Sequence, residues 1–177
     1  MPGLADQLRE ALHAFEHCEQ PPALIGGLAL VAHQVIRATL DVDFLADARD
    51  AERIDAALVE LGYVRLYRTD DVANYERGGT ERLDVLFARR PHSLRLLRSA
   101  QVRDIGIGRL FVVSAEGLIG FKLQALKNDP SRIRDIDDIR KLLRARSGTL
   151  DMSEVSGYFD LFDSAELLRE LMRELEP

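Results

Sequence analysis

One cysteine, no tryptophan and three lysines stand in a chain of 177 residues. The lone Cys18 excludes an internal disulfide and a thiolate cluster, and with them a disulfide-stapled secreted scaffold. Long hydrophobic runs are missing too: the longest, residues 23–32, is about half of what a bilayer crossing demands. The first residues, MPGLADQLRE, hold acids and no apolar stretch, so they do not read as a signal peptide. Twelve glycines and six prolines are too few for a low-complexity or collagen-like chain, and 46% hydrophobic residues are too many for a disordered one. A chain of this size buries roughly 70% of its unfolded surface and needs no staples. The expectation is one domain over residues 1–177, soluble and cytoplasmic, with no membrane partner.

Charge is present in quantity, with 24 basic and 30 acidic side chains and a formal net charge of −6. That balance argues against a general nucleic-acid coat, for which a basic domain is expected. It leaves room for a local basic groove, because 21 of the basic residues are arginine and six of them fall between Arg89 and Arg109. Arginine presents a planar fork that suits phosphate.

Apolar spacing predicts a helix over residues 4–18, stopped by Gln20-Pro21-Pro22. A short strand, Ala23-Leu24-Ile25, ends at Gly26-Gly27, and residues 28–35 read as a second helix. Residues 37–45 alternate, with Leu40, Val42 and Phe44 on one side and Thr39, Asp41 and Asp43 on the other. Asp50 is placed to cap a helix closed by Gly62. Strands are expected over 63–67, 72–76, 82–87, 101–105 and 109–113, with a short helix over 91–98 between them. Ser114 caps a helix to about Asn128, Asp129-Pro130-Ser131 starts another to about Ala145, and the tail is helical in two pieces. A strand-rich middle framed by helices reads as an α+β fold with an α/β-type mixed sheet. Its core would span residues 23–113 and its helical C-terminal part 114–177.

The stretch ALIGGLALVAHQVIRATLDVDFL carries the chemistry. A strand delivers the chain to Gly26-Gly27, where backbone N–H groups can approach an anion. Fourteen residues after Gly27, Asp41 and Asp43 share one face of a strand. Asp84 lies in Arg82-Leu83-Asp84-Val85-Leu86-Phe87, a strand able to pair beside them. Three gathered carboxylates repel unless a cation binds them, and Mg²⁺ suits such oxygen donors while sharing them with substrate phosphates. Two such ions about 4 Å apart would stabilise both the attacking and the leaving oxygen of a phosphoryl displacement.

At these residues the chain resembles the nucleotidyltransferase superfamily built on the polymerase-β-like core, with its Gly-Gly or Gly-Ser turn, Asp-x-Asp and later lone Asp. Gly26-Gly27, His33, Arg37-x-Thr39 and Asp41-x-Asp43 look most like the AbiEii/AbiGii nucleotidyltransferase toxins. The later stretch GLIGFKLQALKNDPSRIRDIDDIRKLL is similar to that family's second block, through Lys122, Arg132, Arg134, Asp135 and Asp138. Gly27 stands where serine is commoner, Arg134 where lysine is usual, and the chain is short for such a toxin.

The resemblance implies a metal-dependent transfer of a nucleoside monophosphate from a nucleoside triphosphate to an acceptor hydroxyl. The acceptor would be RNA such as tRNA, a protein side chain or a small molecule such as an aminoglycoside. It also implies a toxin of a toxin–antitoxin system with a cognate antitoxin. Asp41, Asp43 and Asp84 would be catalytic and hold Mg²⁺, with Asp84 helping to deprotonate the acceptor. Gly26, Gly27, Arg37, Thr39 and Lys122 would contact the nucleotide, Lys122 with a catalytic part. Two other functions stand beside this one: a non-catalytic nucleotide-binding or toxin-system partner module, and a simple nucleic-acid binder.

Blander readings exist for single residues. Lys122 sits on an apolar helix and can snorkel, in which case transfer with methionine there should stay near wild type; if it meets phosphate, transfer should fall about ten- to a hundredfold with thermal stability held or raised. Asp135 and Asp138 fit a surface salt-bridge ladder as well as a functional role. His13 and His17 are four apart beside Cys18, but HAFEH lacks the glutamate of a zinc peptidase and no fourth ligand is evident.

Overall fold

The computed structural model describes residues 3–106 and 108–175. They form two compact units. The first holds the chain up to Ala32 together with Arg37–Val113, the second His33–Ile36 with everything from Ser114 onward.

All strands belong to the first unit: β1 (Ala23–Ile25), β2 (Asp41–Asp47), β3 (Val64–Arg68), β4 (Val72–Arg77), β5 (Glu81–Ala88), β6 (Gln101–Asp104) and β7 (Arg109–Val112). They make one mixed sheet in the order β3-β4-β5-β2-β1-β7-β6. β2 runs parallel to β5 and antiparallel to β1, so the motif-bearing strands are internal. Helices α1 (Leu4–Ala14), α2 (Gly26–Ala32), α3 (Ala51–Glu60) and α4 (Pro91–Arg98) complete this unit.

Alternation along the central strands sorts the sheet into two faces. Val42, Phe44, Leu83, Val85, Ala73 and Tyr75 are buried on one of them. Phe15, just past α1, meets Phe44 edge-on at 5.3 Å between ring centroids, and the Tyr75 hydroxyl donates to Asp55 of α3 at 3.0 Å. The opposite face carries Asp41, Asp43, Asp84 and Asn74 and is less covered. The expected period-two pattern therefore holds over β2, with one correction. The strand begins at Asp41, and Leu40 is 79% exposed in the connection before it, since no neighbouring strand pairs with that residue.

Two further expectations need correction here. The second helix ends at Ala32 rather than residue 35, before Gln34 takes a left-handed φ of 67°. Asp50 precedes α3 but makes no side-chain cap. Its buried carboxylate instead accepts the backbone N–H groups of Glu19 at 3.1 Å and Gln20 at 3.4 Å and pairs with Arg53. A carboxylate that satisfies a neighbouring chain segment is not available to the helix end.

The second unit contains α5 (Ala115–Asn128), α6 (Ile133–Ala145), α7 (Met152–Leu161) and α8 (Ala165–Leu175). Ser114 caps α5 by accepting the Gly117 N–H at 3.1 Å, as expected. The helix expected from Asp129 begins later, at Ile133, because Asp129 accepts the Ser131 N–H and hydroxyl in a tight turn. A β-carbon on Gly120 would lie 2.7 Å from the Tyr158 ring, so glycine lets α5 and α7 approach closely. Among the described residues no helix is long and apolar enough to cross a membrane.

Candidate active site

The register of the central strands assembles the carboxylates. Asp43 on β2 is the direct partner of Asp84 on β5, and Asp41 faces Arg82 one pleat earlier. Residues two apart on a strand, and residues paired across parallel strands, project to the same face. Asp41, Asp43 and Asp84 therefore share one patch of the sheet.

On the other flank of β2, Ile25 of β1 pairs with Asp43, so the chain turns at Gly26 right beside that carboxylate. Gly26 has φ 65°, a left-handed conformation, and a β-carbon on it would overlap the Asp43 carboxylate. A β-carbon on Gly27 would lie 2.6 Å from that of Thr39. The Thr39 hydroxyl in turn lies 3.3 Å from the Asp41 carbonyl and 3.4 Å from its N–H. Both glycines thus make room for side chains in, or just ahead of, the strand that carries Asp-x-Asp. Arg37 is half-buried in the segment leading into β2.

Asp84 has a partner that the sequence did not announce. Asn74, its direct neighbour on β4, donates its side-chain amide to Asp84 Oδ1 at 2.7 Å. Burial pushes the Asp84 carboxyl up, the Asn74 hydrogen bond opposes that, and the charge of Asp41 adds to the rise. Asn74 sits in a strand with weak patterning, and a single asparagine there offers no periodic signal; only the β4–β5 register exposes it.

These groups suit a hard divalent cation in donor type, being carboxylate oxygens on one face. The mutual repulsion of Asp41 and Asp84 is what a bound cation would relieve. Among the described residues no three His, Cys, Asp or Glu side chains stand close enough to enclose an ion as they are, and the Asp84 carboxylate is held toward Asn74.

Lys122 lies in the second unit and is 11% exposed at its side chain. Its ammonium donates to Asp135 at 2.9 Å and to Asp138 at 2.6 Å. Arg132 donates to the other Asp135 oxygen at 2.6 Å. The surface-ladder reading of Asp135 and Asp138 is corrected: their side chains are 6% and 2% exposed. Burial opposes ionisation of Asp135, yet the bonds from Arg132 and Lys122 hold its carboxyl below the usual range. His33 is buried. The Cys18 thiol is pushed up to about 11, first by burial and then by Asp50, so it is no nucleophile at neutral pH.

The seven-stranded mixed sheet with its helices is the nucleotidyltransferase-like fold. The chain is similar to the solution structure of the antibiotic-resistance factor ANT(2'')-Ia, at 18% identity, 97% coverage of both chains and a TM-score of 0.71. A crystal structure of ANT(2'')-Ia with adenylyl-2''-tobramycin matches at 19% identity over 92% of this chain and 98% of that one, with a TM-score of 0.69. The lincomycin-bound lincosamide antibiotic adenylyltransferase LnuA matches at 16% identity over 77% and 94%, with a TM-score of 0.54. No protein-family model matches the chain, and no curated protein does.

Proposed function

We propose that the chain is a metal-dependent nucleotidyltransferase that moves a nucleoside monophosphate from a nucleoside triphosphate to an acceptor hydroxyl. The observation that carries this is the parallel β2–β5 register, which sets Asp43 opposite Asp84 with Asp41 on the same face beside the Gly26 turn. The shared fold with ANT(2'')-Ia and LnuA supports the same reaction class.

In this reaction the acceptor oxygen bonds to the α-phosphorus, the bond to the β-phosphate oxygen breaks, and pyrophosphate leaves. Asp84 takes the hydroxyl proton; burial and Asp41 raise its basicity, and Asn74 fixes one of its oxygens. Asp41, Asp43 and Asp84 would hold Mg²⁺, two ions in the full site, which when bound neutralise charge on the triphosphate and on the reacting oxygens. Gly26 and Gly27 would offer backbone N–H groups to the triphosphate, with Thr39 bracing Gly27 and Arg37 neutralising phosphate charge. Lys122 enters as a phosphate contact only through the AbiEii/AbiGii resemblance, and so do a toxin's role and an antitoxin partner.

The test is incubation with each labelled nucleoside triphosphate, Mg²⁺ and a panel of total RNA, aminoglycosides and protein, with Asp43→Asn in parallel. Label transfer and pyrophosphate release that vanish in the variant are expected. A thermal-shift titration separates a non-nucleotide module: ligand at about 100 times its dissociation constant stabilises by about 2.7 kcal/mol. No shift with any triphosphate would overturn the assignment.

A further inference from the structure

Between Arg89 and Arg109 the chain sets six arginines against one carboxylate, Asp104, while its overall formal charge is −6. The proposed reaction uses none of them. Structure gathers part of this charge around α4, which packs against β2 and β5. Arg95 and Arg98 lie three residues apart on α4, on the same exposed side, and neither has a carboxylate within ion-pair distance among the described residues.

Next to them a cavity of about 390 Å³ opens at the C-terminal ends of β2 and β5, lined by Asp47, Arg49, Ala88, Arg89, Leu94 and Arg98. Asp47 is its one acid and is already satisfied: Arg49 donates to it through Nε at 3.1 Å and Nη2 at 2.9 Å. Arg89 is braced by Asp70 at 2.6 Å. Arg49 also pairs with Glu19 at 3.2 Å, so two of the three arginines are held by partners, while Arg98 makes no ion-pair contact and adds only its field to those holding the Asp47 carboxyl below the usual range.

The placement relative to the carboxylates is the second observation. Asp41, Asp43, Leu45 and Asp47 alternate onto one face of β2, and Asp84, Leu86 and Ala88 pair with the last three on the same face of β5. The arginine cavity therefore opens on the carboxylate face, four residues along β2, or about 13 Å at roughly 3.3 Å per residue.

We propose that α4 and this cavity bind the phosphodiester backbone of single-stranded RNA, which is the acceptor in the transfer reaction; the acceptor role rests on the proposed function, the binding does not. Arginine forks spread over a helix and a cavity match several phosphates rather than one. An RNA strand supplies both the repeating anion and the free hydroxyl. The same charge disfavours a polycationic acceptor of the aminoglycoside kind.

The test is fluorescence anisotropy with a labelled oligouridine of about 12 nucleotides, within the usual range of single-strand sites. It is run in EDTA without nucleotide, from about 50 to about 200 mM NaCl, and compares wild type with Arg95→Gln/Arg98→Gln and with Arg95→Lys/Arg98→Lys. Arg140→Gln, in the second unit, is the control. The glutamine pair should weaken binding about tenfold or more and flatten the log–log salt slope by about 1.4, near 0.7 per lost phosphate contact. The lysine pair and the control should keep the wild-type slope. Equal binding by wild type and the glutamine pair overturns the surface, and so does binding to phosphatidylserine vesicles in place of RNA. With Mg²⁺ and triphosphate, the glutamine pair should raise KM for RNA and leave KM for the nucleotide unchanged. An unchanged RNA KM alongside weakened binding overturns the acceptor role alone, while Asp43→Asn reports separately on the chemistry.

Discussion

The Asp43 carboxylate occupies the space that a β-carbon on Gly26 would need. Turn and acid are therefore one device: the left-handed Gly26 both ends β1 and leaves Asp43 its place on the sheet face. Gly26→Ala should strain the backbone by about 1–2 kcal/mol and push the carboxylate aside. We expect a melting temperature lower by roughly 2–8 °C and a transfer rate down about a hundredfold, the scale of a 1 Å misplacement. Wild-type transfer in a folded variant would detach Asp43 from the reaction.

Asp41→Asn and Asp43→Asn should each abolish transfer with the fold intact or slightly more stable. Removing a charge from a face where Asp41 already raises Asp84 relieves repulsion. Transfer with Mg²⁺ and melting temperature, measured on the same preparations, check both halves.

Asn74→Leu removes the amide that favours the ionised form of Asp84. The Asp84 carboxyl should rise further, so a higher pH is needed to ionise it. The acid limb of the transfer profile then moves to higher pH, and Asn74→Gln should not restore it, because the longer side chain displaces the amide. An unmoved acid limb would show that Asp84 is not the group taking the proton.

Lys122→Met leaves Asp135 and Asp138 buried without their shared cation. The expected cost is about 3 kcal/mol, the low end for breaking a buried pair, because Arg132 still serves Asp135. Thermal melting should fall by roughly 6–12 °C, opposite in sign to the held or raised stability expected of a phosphate-contacting Lys122. Asp135 carries a lowered carboxyl, so its stabilisation is complete above the unfolded value of about 3.9 and is lost as pH falls through the lower native one. Melting of the wild type should therefore drop in that acid window, and the variant should lose less there.

Legibility in the sequence followed periodicity. Period two identified β2 and β5 and put Asp41, Asp43 and Asp84 on like faces, because the pleat alone dictates that. It could not show where pairing starts, hence Leu40, nor which strands are neighbours, hence Asn74. Asp135 and Asp138 have the same i, i+3 spacing in an exposed ladder as in a buried cluster. Their burial depends on how α5 and α6 pack, which spacing does not encode. Asp50 resembled a helix cap because caps are local signals, whereas its partners Glu19 and Gln20 are about thirty residues away.

The position of β2 between β5 and β1 has a consequence for heat and time. Amides of an internal strand exchange with solvent only when much of a cooperative unit opens, while an edge such as β3 frays first. Peptide hydrogens around Asp43 and Asp84 should be among the slowest in the first unit to exchange for deuterium, and those of Arg65 and Tyr67 among the fastest. If these acids carry the proposed transfer, activity should be lost on warming together with the sheet, not ahead of it.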